Sequence, residues 1–257
     1  MLTEEDKIPF TSHLEELRHR LVVSVAAIGV GFALAYGFKE KLFEILCRPL
    51  IQALQSGERL IFTGLTEAFF TYLMVAFIAG LLLAAPVIIY QFWMFIAPGL
   101  YKKERRALLP AVILSTFFFV GGSLFGYFLV FPVGFKFLLG FASETIRPLP
   151  TMKEYLDFAV KMLLAFGLAF ELPIVLTLMA RLGIVTADSL KKMRRYSIVL
   201  AFFLGAILTP GPDVISQLMM SVPLVVLYEL SIIGARIFGR KPEPQPVAQE
   251  ASADGKI

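Results

Sequence analysis

Ser12-His-Leu-Glu-Glu-Leu-Arg-His-Arg-Leu21 is a dense charged run that stops where an apolar one begins, because no residue from 21 to 38 carries a charge. That boundary is the one expected where a chain enters a membrane. Ser12 followed by Glu15 has the form of a capping box, the hydroxyl accepting from the backbone N–H three residues on and the carboxylate reaching back. In a helix Leu14, Leu17 and Leu21 share one stripe, and Glu16 stands four residues before Arg20, the favourable order for an ion pair. Glu15 then has a structural task, and Glu16 is freer to meet a ligand. The same pattern is also that of a salt-bridged, solvated helix start.

The rest of the chain decides its class. Of 257 residues, 58% are hydrophobic and only 17% charged, against about a quarter charged in soluble domains. The apolar residues fall in long uninterrupted runs, which excludes an ordinary soluble core and makes this an all-α, polytopic membrane protein. The single cysteine, Cys47, leaves no intramolecular disulfide and no CxxC motif. The acidic Glu4-Glu5-Asp6 start and a long first apolar run do not form a cleavable signal peptide.

Six spans are read: 21–38, 68–96, 108–131, 155–179, 197–208 and 214–235. They make one membrane domain over 1–238, and the Pro-, Glu- and Gln-rich 239–257 reads as a disordered tail. In the first span Gly29, Gly31 and Gly37 allow close helix approach. The segment 39–62 is too polar to span, and Pro49 is expected to break it into a short interfacial helix and an irregular piece. Thr66-Glu67 opens the second span. Thr151 with Glu154 forms a capping box before the fourth, and Thr186-Ala-Asp188 caps a basic approach to the fifth. The last two spans are short, about 18 Å for 197–208 against a hydrocarbon core of about 30 Å. Thr209-Pro-Gly-Pro-Asp213 between them reads as a tight turn. Lys and Arg gather before the first span, at 102–106, at 181–195 and in the tail, so the positive-inside rule puts both termini in the cytoplasm.

Catalytic motifs are missing. His13 and His19 are the only histidines, both in the opening run, with no metal-ligand spacing. There is no GxxxxGK[ST] loop and no Gly-x-Ser-x-Gly elbow, so neither an ATPase nor a serine hydrolase is indicated, and no metal or cofactor is expected. The slight positive balance does not point to nucleic acid.

The carboxylates say more. Glu171, in Phe170-Glu-Leu-Pro173, lies inside the fourth span, where an ionisable group costs at least about 2.5–3.5 kcal/mol. Either it is neutral and bonded to nearby backbone, including the carbonyl that Pro173 frees, or it lines a path or docks a partner helix. Glu229 is a weaker case, nearer the cytoplasmic end. Gln217 is expected to bond between helices, and Asp213 to cap the sixth. Glu104 stands among four basic neighbours on the same face as Glu16. Two acidic groups against a basic rim can receive two guanidinium groups through charge-assisted, bidentate hydrogen bonds.

Five motifs in order carry a resemblance: His13-Leu-Glu-Glu-Leu-Arg18, Phe95-Ile-Ala-Pro-Gly-Leu-Tyr-Lys-Lys-Glu-Arg-Arg106, Phe131-Pro132, Phe170-Glu-Leu-Pro173 and Thr209-Pro-Gly-Pro-Asp213. Together they resemble the TatC family, the multispanning receptor subunit of the twin-arginine protein translocase, over roughly residues 9–236. The resemblance implies a concave, glove-like arrangement of six helices in the bacterial cytoplasmic membrane. It implies a receptor that binds twin-arginine signal peptides of folded cargo at the cytoplasmic face and is driven by the proton-motive force. Carried over position by position, Glu16 and Glu104 would receive the arginine pair, and Arg18, Phe95 and Lys102 would shape the patch. Glu171 matches the intramembrane glutamate. Pro49, Thr209, Asp213 and Gln217 match positions of assembly or partner docking. Gly211 departs from the family, which more often has two adjacent prolines there. The implied partners are small single-span subunits of the TatA and TatB type, further copies of the chain and the bilayer. The competing class is an ion-coupled small-molecule transporter with Glu171 as coupling carboxylate, which would usually show internal repeats that this chain lacks.

Overall fold

The structure, a computed structural model, describes residues 10–54, 58–96, 108–143, 147–208 and 214–239. The described chain is helical apart from turns and one isolated parallel bridge, Ile61 to Thr151. In order the helices are α1 Phe10–Tyr36, α2 Lys39–Ala53, α3 Glu67–Ile96, α4 Leu108–Phe125, α5 Phe131–Leu139, α6 Met152–Arg181, α7 Ala187–Lys192, α8 Arg194–Leu208 and α9 Val214–Phe238. A π-helical turn, Gly126–Val130, joins α4 to α5. Five stretches are long and apolar enough to cross a membrane: His13–Tyr36, Glu67–Ile96, Leu109–Leu139, Met152–Arg181 and Val214–Phe238. The chain is therefore an all-α, multi-pass membrane protein. α8, at 15 residues, spans only about 22 Å.

The packing fixes helix directions. α1 lies antiparallel to α3, with Gly31 against Gly80 and Arg20 bonded to Gln91. α4 lies antiparallel to α6, where the Ser123 hydroxyl reaches the Leu163 carbonyl at 3.0 Å. α9 runs parallel to α6, Gly234 meeting Thr177, and antiparallel to α8, where Arg194 pairs with Glu229. The main buried cluster gathers Phe131, Phe135, Phe158 and Phe166 from α5 and α6 with Cys47 and Leu50 of α2. Elsewhere the helices expose large apolar side chains, as lipid-facing helices do.

Local expectations were met unevenly. Thr151 caps α6, its hydroxyl accepting from the Glu154 N–H at 3.2 Å. Thr186 caps α7 in a reciprocal box with Ser189. α1 already runs from Phe10, so the backbone of Ser12 lies inside the helix rather than at its start. Leu14, Leu17 and Leu21 share one stripe of α1, as expected, and the stripe is exposed. Of the first-span glycines only Gly31 makes a close approach, since a Cβ there would sit 2.5 Å from the Gly80 carbonyl oxygen, whereas one at Gly29 would meet nothing within 4 Å. The helix expected to end at 131 continues to Leu139. Pro132 offers no N–H there, and the π turn widens the ladder just ahead of it, Phe131 N–H bonding to the Gly126 carbonyl.

Pro49 does not break α2, which runs on to Ala53. A proline leaves the carbonyl four residues earlier without its helical donor, here that of Ile45. The Tyr127 hydroxyl donates to that carbonyl, and the Tyr155 hydroxyl to the neighbouring Leu46 carbonyl. Tertiary donors thus replace the missing one, and the helix survives. The loop before α3 is tied down in the same manner. Glu67 accepts from the N–H groups of Thr63 (2.8 Å), Gly64 (3.1 Å) and Lys153 (2.9 Å), joining it to the start of α6.

Candidate functional site

At one end of the α1–α3 pair the polar residues of the opening stretch converge. Glu16 Oε1 accepts from Arg20 Nε at 3.0 Å and also from one of its terminal nitrogens. The other terminal nitrogen of Arg20 donates to Gln91 Oε1 on α3 at 3.2 Å. His13 Nδ1 lies 3.8 Å from Glu16 Oε2. The His13 ring stacks on Phe95, centroids 4.5 Å apart and planes 17° from parallel. Glu16 and Arg20 keep 30% and 17% of their side-chain exposure, so this is a partly screened shelf open to a ligand.

The helical repeat explains the cluster. His13, Glu16 and Arg20 lie at i, i+3 and i+7 on α1, and Gln91 and Phe95 at i and i+4 on α3. Glu16 and Phe95 therefore belong to one site, joined through His13. Arg18 lies about 200° around α1 from Glu16 and is exposed, outside the cluster. Glu104 and Lys102 lie outside the described residues, in the 97–107 segment that links α3 to α4. Gln91 and the stacking role of His13 escaped the sequence reading. The available signal was one uncharged polar residue, one turn before Phe95, inside an apolar run.

A second polar node lies deeper. The Trp93 indole N–H donates to Ser115 Oγ at 3.0 Å, and the Ser115 hydroxyl lies beside the Glu171 carboxyl, within electrostatic reach of it. The three residues tie α3, α4 and α6 together. Glu171 Oε1 is buried without a hydrogen-bond partner among the described residues. Just beyond, Pro173, Ile174 and Thr177 line an apolar cleft of about 620 Å³ between α4, α6 and α9, with Arg181 at its end. Its open end shares the molecular face of Glu16, because α4 starts there and α6 and α9 finish there.

The remaining expected positions are dispersed. Gln217 Nε2 donates to the Phe202 carbonyl at 3.0 Å, bonding α9 to α8. Glu229 accepts from Arg194 at 2.6 Å, so it is an interhelical ion pair rather than a solitary membrane carboxylate. Pro49 lies on α2, at the face opposite Glu16. Thr209 and Asp213, with the turn expected there, fall outside the described residues. Among the described residues no group of His, Cys, Asp and Glu could hold a metal ion.

Comparison with known proteins places this geometry in a family. The family model described as Sec-independent protein translocase protein (TatC) matches residues 12–223. A Sec-independent protein translocase protein TatC from Desulforapulum autotrophicum is 62% identical over 94% of this chain and 89% of its own. That of Escherichia coli K12 is 38% identical over 92% of each. A crystal structure described as the twin arginine translocase receptor TatC superposes with a TM-score of 0.79 at 41% identity, covering 88% of this chain and 99% of that one. The chain belongs to the TatC family of Sec-independent protein translocase proteins.

Proposed function

We propose that this protein is the signal receptor of a twin-arginine translocase, binding the arginine pair of folded cargo's signal peptides at the face that carries Glu16. The observation that carries the reading is the Glu16 shelf: a half-exposed carboxylate that already holds one guanidinium, that of Arg20, beside a flat His13–Phe95 stack. A signal arginine can take the same two-nitrogen geometry, which a lysine cannot reproduce. Glu104 is the acceptor proposed for the second arginine, and Lys102 a further member of the patch. Arg18 serves at the rim.

The apolar part of the signal enters the cleft between α4, α6 and α9, past Glu171. The alternating helix directions support six crossings, α8 being the short one, with both termini cytoplasmic. Export draws on the proton-motive force and on single-span TatA- and TatB-type subunits that dock near Thr209, Asp213 and Gln217. Pro49 serves assembly at the opposite face. The test is export of a folded reporter in cells deleted for their own receptor and supplied with this chain and matching partner subunits. Export is expected with an Arg-Arg signal, strongly reduced with Lys-Lys, and lost with Glu16→Ala or Glu104→Ala. Export indifferent to both glutamates moves the site elsewhere. No export overturns the reading in favour of an ion-coupled transporter using Glu171.

A further inference from the structure

A second cleft, of about 240 Å³, opens between α2, α3, α4 and α6. It lies at the end of the molecule opposite Glu16, and the site above makes no use of it. Its walls are almost wholly carbon, with Leu42, Ile45, Ile78, Leu82, Leu124 and Val160 facing in. The two hydroxyls on the wall are already engaged. Ser123 is turned to the Phe119 and Leu163 carbonyls at 3.1 and 3.0 Å, and Tyr127 to the Ile45 carbonyl. Nothing in the walls solvates a polar solute, so hydrocarbon is the matching occupant.

The rim is cationic. On α2, Lys41 and Arg48 stand four residues before and three after Ile45, so both flank the cleft wall along one edge of the helix. Glu44 stands on the outer side of the same edge, about 40° round the helix from Arg48, and Glu40 about 80° from it. Arg48 is exposed and lies within electrostatic reach of the Tyr127 ring. Among the described residues neither Arg48 nor Lys41 has a carboxylate partner. An apolar slot in the span, ending under an unpaired guanidinium at helix-end level, complements one kind of molecule.

We infer that this cleft binds an anionic phospholipid, one acyl chain lying between α2, α3, α4 and α6 and the headgroup phosphate meeting Arg48, with Lys41 beside it. The guanidinium offers the phosphate paired N–H donors. The acyl chain adds to the packing of α2 on the spans, beside the direct contacts that Cys47 and Leu50 already make.

The test is native mass spectrometry of the full-length chain released from micelles holding equal phosphatidylglycerol and phosphatidylcholine, with exposed Arg59→Gln as control. One phosphatidylglycerol per chain is expected to survive release in preference to phosphatidylcholine. Arg48→Gln is expected to lower that preference about fivefold, the worth of one interfacial cation. Ala79→Phe, which fills the slot without touching the rim, is expected to remove the bound lipid altogether. Equal retention of the two lipids overturns the inference, as does an Arg48→Gln variant no different from Arg59→Gln. Displacement of the lipid by glycerol phosphate alone would reduce the site to a surface anion contact and overturn it too. So would a signal peptide, and no lipid, cross-linking into the slot in phosphatidylglycerol vesicles.

Discussion

The Tyr127 hydroxyl donates to the Ile45 carbonyl, the acceptor that Pro49 leaves without a helical partner. A residue in a π turn of one span thus repairs a proline defect in a neighbouring helix. That turn lies immediately before a second proline, Pro132.

This arrangement predicts a reciprocal pair of substitutions. Tyr127→Phe leaves the Ile45 carbonyl without its donor and should cost about 0.5–1.5 kcal/mol, the worth of an ordinary hydrogen bond. Pro49→Ala restores an N–H four residues on, so in the Pro49→Ala background Tyr127→Phe should cost distinctly less. Thermal unfolding of the four proteins in one detergent measures the coupling. Equal losses in both backgrounds would show that the hydroxyl acts elsewhere.

Arg20 occupies the carboxylate that the proposed ligand needs. A signal arginine must therefore share Glu16 or displace Arg20. Arg20→Gln should bind an Arg-Arg signal peptide more tightly, by about fivefold if the internal pair is worth the usual 1 kcal/mol or so of a half-exposed bridge. Glu16→Gln should weaken binding in either background. Weaker binding by Arg20→Gln would instead make Arg20 and Gln91 the holders of the carboxylate's orientation. Fluorescence anisotropy of a labelled peptide distinguishes the two.

Gly31 and Gly80 let the α1 and α3 backbones touch. A Cβ at Gly31 would sit 2.5 Å from the Gly80 carbonyl oxygen, and that atom is backbone and has nowhere to move. Gly31→Val should force the helices apart at a cost of about 1–3 kcal/mol. Gly29→Val, where a Cβ meets nothing within 4 Å, should be neutral. Because Glu16 and Phe95 are brought together only by this pair of helices, Gly31→Val should also weaken signal binding without touching the site. Parallel unfolding and binding measurements on the two variants check this.

Burial pushes the Cys47 thiol up to about 12 from 9.0. At pH 8 the native thiolate population falls by about a thousandfold, and reaction with a small maleimide should slow accordingly. Native packing favours the neutral thiol, so its contribution to stability is complete below pH 9 and is lost as pH rises toward 12. Labelling at pH 8 in mild detergent and again after denaturation reads the effect. Equal rates would place the thiol in contact with solvent.

Much of the fold was legible because membrane spans announce themselves by composition over twenty residues, and the caps at Thr151 and Thr186 by local chemistry. What was hidden depends on partners distant in sequence. Pro49 reads as a breaker until Tyr127 and Tyr155 are brought to it. Glu229 reads as a buried charge until Arg194 is found 35 residues away. The stripe of Leu14, Leu17 and Leu21 is exposed, because the side of α1 that meets α3 here is the polar one of His13 and Arg20, which bond or stack with Phe95 and Gln91. At the site, Glu16 and Phe95 were expected from the sequence, but their link through His13 and the support from Gln91 are tertiary.

The deeper node offers a probe of its own, since Trp93 is the only tryptophan of the chain. Its indole N–H bonds Ser115, which lies beside Glu171, so emission from this one ring reports on a junction of three helices. Ser115→Ala removes the acceptor of a buried N–H. It should cost about 1–3 kcal/mol and shift Trp93 emission to the blue, because the indole loses its hydrogen bond. Glu171→Gln keeps a side chain of the same shape and leaves the Trp93–Ser115 bond in place, so emission should hardly move. If the signal's apolar stretch enters beside Glu171, adding an Arg-Arg signal peptide should change Trp93 emission in the wild type, and a Lys-Lys peptide should not. An unchanged spectrum with saturating peptide would place the apolar stretch away from this node and confine binding to the Glu16 shelf.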